Sequence, residues 1–175
     1  MDTNNNQELH HITAIVENRP GVMQRVASMF SRRGFNMDNL SVGPTDDPKY
    51  SRMTITVKGD PSILEQVVKQ LNKLIPIIKV RELPLFESIE RELGLIKVKA
   101  QKPEARNEIT QYVEVYHGTI VDVTQDSMII EVTGDPEKLN SFVKLMAPYG
   151  IREIARTGVT AMHRGQKAAS DSVKQ

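Results

Sequence analysis

The chain has 175 residues, with 23 Lys+Arg against 22 Asp+Glu, 39% hydrophobic residues and no cysteine. This is the balance of a soluble globular protein of one or two domains, without the broad positive field that a generic nucleic-acid or membrane-surface binder needs. Disulfide scaffolds, thiol nucleophiles and Cys-based metal centres are excluded, and the polar start MDTNNNQE with no apolar run near ~20 residues predicts a cytoplasmic protein with no membrane association.

In chain order, His10–Val16 alternates with period two, as a half-buried strand does. Glu17-Asn18-Arg19-Pro20-Gly21 breaks that pattern, and Val22, Val26, Met29 and Phe30 then mark an amphipathic helix ended by Arg33-Gly34. In Phe35–Gly43, Met37 and Leu40 fall on opposite parities, which predicts a bulge or a late strand start. Arg52–Lys58 alternates cleanly. Gly59-Asp60-Pro61 supplies a turn, an N-cap and an N1 proline for a helix carrying Leu64, Val67, Val68 and Leu71, and Ile77–Leu83 closes the unit as a strand.

The second half repeats the plan. Leu95–Ala100 reads as a strand, Pro103–Tyr116 as a helix capped by His117-Gly118, and Thr119–Thr133 as a hairpin turning at Asp126-Ser127. Gly134-Asp135-Pro136 opens another helix, 75 residues after the first such turn, and Ile151–Val159 closes this unit. The expected fold is α+β: two ferredoxin-like βαββαβ domains, each an antiparallel sheet with both helices on one face and the other face open. The expected domains are residues 9–84 and 85–165, with 1–8 and 166–175 as disordered ends.

No catalytic constellation emerges. Of four histidines, His10 and His11 point to opposite faces of a strand, His117 sits at a helix end and His163 near the tail, so no metal site is expected. Asp46-Asp47 reads as turn chemistry, and Glu90 and Glu92 around Arg91 as a solvated charge cluster. Arg52, Thr54, Thr56 and Lys58 share one face of their strand and Met53, Ile55 and Val57 the other, so the aromatic platform of an RNA-binding sheet is missing.

The informative segment is the first strand-to-helix loop. A helix N-terminus offers unclaimed backbone N–H groups and partial positive charge to a carboxylate. Gly21 lets a ligand reach the backbone, Pro20 stiffens the loop, and Asn18 and Asn36 add amides that can orient an amino acid's polar head. The same spacing also describes an ordinary tight turn, with Gly for geometry and Asn for local backbone bonds.

Asn18-x-Pro20-Gly21, after a strand and before an amphipathic helix, resembles the ligand loop of the ACT domain. More widely, Ser31–Asn36, Pro44–Pro48, Ser51–Ile55, Glu90–Leu93, Ile120–Thr124 and Ala155–Val159 resemble the small regulatory subunit family of acetolactate synthase, over most of residues 10–165. The resemblance implies that residues 9–84 form an ACT domain and residues 85–165 a domain that helps activate the catalytic subunit. It implies a chain that is not an enzyme alone, holds no cofactor, and activates a large catalytic subunit carrying thiamine diphosphate, Mg²⁺ and FAD. Feedback inhibition by valine, or by leucine or isoleucine, would act through an ACT homodimer. By motif, Asn18, Pro20, Gly21 and Val22 of one protomer and Asn36 and Met37 of the other would hold the effector. The alternative is a free-standing ACT-type amino-acid sensor that regulates another enzyme or transcription.

Overall fold

A computed structural model describes residues 8–165. The expected disordered ends lie outside those residues, except Glu8, which is the first residue of a strand. The first unit runs β1 (Glu8–Glu17), α1 (Val22–Arg33), β2 (Met37–Pro44), β3 (Tyr50–Gly59), α2 (Pro61–Leu71) and β4 (Ile77–Leu83). Its antiparallel sheet has the order β2-β3-β1-β4. Val22, Val26, Met29 and Phe30 of α1 and Leu64, Val67 and Leu71 of α2 close on Ile12, Ala14, Val16, Met53, Ile55 and Val57. The periods of two and of 3.6 thus meet in one core.

The helix ends follow from local chemistry. Gly34 takes a left-handed φ of 67°, its N–H donates to Ser31, and the Phe35 N–H donates to the Phe30 carbonyl at 3.1 Å, satisfying the last turn of α1. Asp60 accepts from the Ser62 and Ile63 N–H groups at 2.8 and 3.0 Å, with Pro61 at N1 of α2. The Ser62 hydroxyl and these N–H groups hold the Asp60 carboxyl below the usual carboxylate range.

The second unit runs β5 (Ser88–Lys99), α3 (Pro103–Val115), β6 (Thr119–Val123), β7 (Ser127–Gly134), α4 (Pro136–Met146) and β8 (Ile151–Arg156), in the order β6-β7-β5-β8. Ile109, Val113, Leu139, Phe142 and Met146 pack on Ile96, Val98, Met128, Ile130 and Val132. After α3, His117 takes a positive φ of 50°. Gly118 follows because a Cβ there would meet the Glu131 carbonyl oxygen at 2.9 Å.

The parity break at Met37 is the expected bulge: the β2–β3 register shifts between Met37 and Asn39. Other expectations differ from what the chain does. The division between the two units falls between Ile89 and Glu90, inside β5, rather than at 84/85. β8 ends at Arg156 rather than running on to Val159, and residues 159–165 fall in the first unit, with β9 (Thr160–His163) among them pairing with β5. They cover part of the sheet face expected to be open: Val159 and Ala161 bury with Leu83 in a small apolar cluster of their own. Glu92, finally, is not in a solvated cluster. It is 6% exposed and forms an ion pair with Arg156, whose other terminal nitrogen donates to Asn140 Oδ1 at 2.7 Å.

Glu92 is the buried member of this pair, so removing Arg156 is costly because it leaves the buried carboxylate without its partner. Arg156→Met should therefore lower the unfolding free energy by about 3 kcal/mol, and adding Glu92→Leu should recover most of that loss. Urea unfolding of the two variants checks this, and equal destabilisation by both would contradict it.

Candidate effector site

The Glu17–Gly21 loop is held by the neighbouring hairpin. β1 and β3 are in register from Glu8↔Gly59 to Glu17↔Tyr50, so the end of β1 meets the loop between β2 and β3. That loop closes on itself: Thr45 Oγ1 donates to the Asp47 carbonyl at 2.8 Å, and the Lys49 N–H donates to Asp47 Oδ1 at 2.9 Å. Its carbonyls then clamp Asn18, whose backbone N–H donates to Lys49 at 2.7 Å and whose Nδ2 donates to Pro48 at 3.0 Å. With Nδ2 so directed, Oδ1 is left to accept, which suits an ammonium group. Arg19 pairs with Glu17 at the exposed rim, where such a pair is worth little.

Gly21 is the N-cap of α1, in the left-handed region at φ 86°, with no side-chain cap and no acidic residue in the first helical turn. The first-turn N–H groups, including that of Val22, thus meet no protein carboxylate, and the helix dipole adds positive potential. The Val22 side chain turns inward and is 4% exposed, so this residue can offer a ligand only its backbone. No atom lies within 4 Å of the place where a Gly21 Cβ would stand, so the approach to these N–H groups is open.

Asn36 and Met37 lie elsewhere in the same chain. Met37 pairs with Val57, which pairs with His10 near the start of β1, whereas Pro44 pairs with Ser51, which pairs with Val16 at its end. β2 therefore separates Met37 from the loop end of the sheet by roughly 23 Å of strand rise. Asn18, Pro20, Gly21 and Val22 form one group, and Asn36 and Met37 form a second at the opposite end of the sheet. Asn36 is exposed and Met37 packs partly against the core.

A groove of about 700 Å³ lies along α1, lined by Gln24, Arg25, Ser28, Ser31 and Arg32. Among the described residues no three His, Asp or Glu side chains gather as a metal site. No helix there is long and apolar enough to cross a membrane. His10 Nε2 contacts the Gly59 carbonyl at 3.1 Å and His11 Nδ1 contacts Thr56 Oγ1 at 2.9 Å.

Comparison with known proteins bears on the chain in two blocks. Residues 12–79 match the family described as AHAS small subunit-like ACT domain, and residues 91–165 match the family described as small subunit of acetolactate synthase. The chain belongs to the acetolactate synthase small-subunit family. The probable acetolactate synthase small subunit of Archaeoglobus fulgidus is 55% identical over 158 residues, covering 90% of this chain and 98% of that protein. Its counterpart in Methanothermobacter thermautotrophicus is 51% identical over 160 residues, 91% of this chain and 95% of that protein. The crystal structure of the acetolactate synthase small subunit from Thermotoga maritima superposes with a TM-score of 0.84 at 42% identity, over 91% of this chain and 99% of that one.

The role of the Pro44–Lys49 loop escapes a reading of the sequence. Asp47 and Pro48 announce a turn, but only the β1–β3 register shows that the turn's carbonyls seize Asn18. For Gly21, the conformation alone sets the cost of change. Gly21→Ala should lower stability by about 1–2 kcal/mol through left-handed strain. Gly43→Ala, which also has nothing within 4 Å of its added Cβ but no positive φ, should not. Thermal unfolding of both variants measures the difference.

Proposed function

We propose that this chain is the non-catalytic regulatory subunit of acetolactate synthase, which activates the catalytic subunit and confers feedback inhibition by a branched-chain amino acid, valine first. Thiamine diphosphate, Mg²⁺ and FAD then belong to the catalytic subunit, which binds pyruvate and 2-oxobutyrate. The observation that carries the reading is the separation of the two residue groups along β2. β2 is an edge strand of its sheet, and an edge strand can pair with another copy of itself. Antiparallel pairing about a two-fold axis sets Met37 of one copy opposite Pro44 of the other. Asn36 and Met37 of the second copy then stand beside Asn18–Val22 of the first, and the same happens at the symmetric site.

In that arrangement the effector carboxylate takes the N–H groups of Gly21 and Val22, and the amides of Asn18 and Asn36 orient the ammonium and the remaining polar edge. Inhibition requires valine to bind the inhibited geometry of the dimer more tightly than the activating one. A ligand held between two copies meets that requirement directly, because its affinity depends on how the copies are placed.

Gly21→Asp puts a like charge where the carboxylate binds and should raise the valine concentration for half-inhibition by tenfold or more, with activation of the catalytic subunit retained. Acetolactate formation by the reconstituted enzyme measures both. Sharing of the site has its own test. Gly21→Asp and Asn36→Ala homodimers should each fail to bind valine in calorimetric titration. Heterodimers mixed from the two should regain one intact site of two, and no recovery on mixing would contradict a shared site.

A further inference from the structure

The sheet face away from α1 and α2 carries Asn39 and Ser41 from β2, His11, Thr13 and Ile15 from β1, and Arg52, Thr54 and Thr56 from β3, as the register requires. Although mostly polar, it is deeply buried at its centre: Thr13, Thr54 and Thr56 are 1%, 2% and 3% exposed. Residues 159–165 contribute to that cover through contacts made largely by hydrogen bonds. The Val159 N–H donates to Asn39 Oδ1 at 3.2 Å, and the Thr160 and Ser41 hydroxyls meet at 3.1 Å. An Arg52 terminal nitrogen donates to the Ala161 carbonyl at 2.7 Å. Arg164 anchors the far end on the Glu87 and Ser88 carbonyls at 2.8 and 3.0 Å.

Two of these bonds fall on β2, and Arg52 stands on β3 directly opposite Gly43 of β2. The second unit offers a contrast. The corresponding face of its sheet holds a shallow concavity of about 190 Å³ between Leu95, Lys97, Ile129, Glu153 and Ala155. A strap over a sheet is therefore no requirement of this architecture. The seat is also imperfect: Thr13 Oγ1 and Arg52 Nε are buried without a protein partner, and burial pulls the Arg52 guanidinium below its usual pKa. A seam with unmade bonds opens at smaller cost than a fully satisfied one.

We infer that residues 159–165 form a strap that sets the position of β2, with Arg52 as its positioning residue, so that the far end of the chain tunes closure of the effector site at the β2 edge. The effector part of this inference rests on the function proposed above; the placement of β2 does not. The strap reaches β2 on the sheet face and leaves its outer edge to a second copy. Loosening it lets β2 shift in the sheet plane, which moves Asn36 and Met37 relative to the loop they would complete. Coupling of this kind ordinarily changes affinity by about fivefold or more.

The test uses the full chain with its catalytic subunit, valine as the probe, and two readouts. These are hydrogen exchange of the residue 37–44 amides without effector, and half-inhibition by valine alongside effector-free activation. Arg52→Met should speed exchange in β2 and raise the half-inhibiting valine concentration by about fivefold, with activation unchanged, whereas Arg52→Lys, which can still donate to Ala161, should stay near the parent. Because the chain has no cysteine, a Ser41→Cys/Thr160→Cys pair forms its only possible disulfide. Oxidising that pair in the Arg52→Met background should restore both readouts, and reductant should undo the repair. Unchanged exchange across residues 37–44 in Arg52→Met overturns the strap. Faster exchange with unchanged half-inhibition overturns its link to the effector site. If valine, leucine and isoleucine all fail to inhibit the parent enzyme, the proposed function falls, and exchange alone decides the strap.

Discussion

One rigid strand governs what this protein can do with a small ligand. β2 holds the two residue groups assigned to the effector at opposite ends of a sheet, and a hydrogen-bonded strand cannot shorten to bring them together. A ligand that uses both groups needs a second copy, so its binding is also a statement about quaternary geometry. In the function proposed above, an end product bound where two copies meet favours one placement of them, and the rate of a reaction is governed from outside the catalytic chain.

The same sheet shows how a polar face becomes an interior. Thr13, Thr54 and Thr56 lie between strands that each have an apolar face against the helices, so alternation makes them look solvent-facing. Their β-branched side chains suit a pleated surface, and Thr56 Oγ1 meets His11 Nδ1 within the sheet. Residues 159–165 bond around them, to Asn39, Ser41 and Arg52, with main-chain groups and one hydroxyl. The second sheet instead sets Leu95 and Ile129 beside Lys97 and Glu153 on the equivalent face, around an open concavity. Two copies of one architectural plan have thus diverged in the chemistry of the face that the plan leaves free.

Much of this was legible in the residues. The four helices were set by apolar stripes and by caps that work within a few positions, such as Gly34 after α1 and Asp60-Pro61 before α2. The parity break at Met37 pointed to the bulge that is there. What escaped the reading was nonlocal. Glu92 sits among charges in the sequence and reads as solvated, until β8 carries Arg156 against it. Pro48 reads as a turn residue, yet its carbonyl fixes Asn18 from another strand pair. Val159 continues the apolar alternation of β8 and so reads as part of that strand, because nothing local says that β8 ends at Arg156 and that a separate strand, β9, begins at Thr160. For the loop itself, residue types matched an ACT ligand loop, while the αL conformation of Gly21 and the inward turn of Val22 needed coordinates.

The contacts between β2 and residues 159–160 join positions 119 and 120 apart in sequence, which has a consequence for biosynthesis. Synthesis runs from the N-terminus at roughly 5–20 residues per second, so the first sheet can pair its strands well before the segment that covers it has been made. During that interval its threonine-lined face meets water, which solvates hydroxyls at little cost, and an apolar face of equal area would meet chaperones or other nascent chains. The polar character of that face therefore suits the order in which the chain emerges. The first domain is complete only once residues 159–165 have left the ribosome.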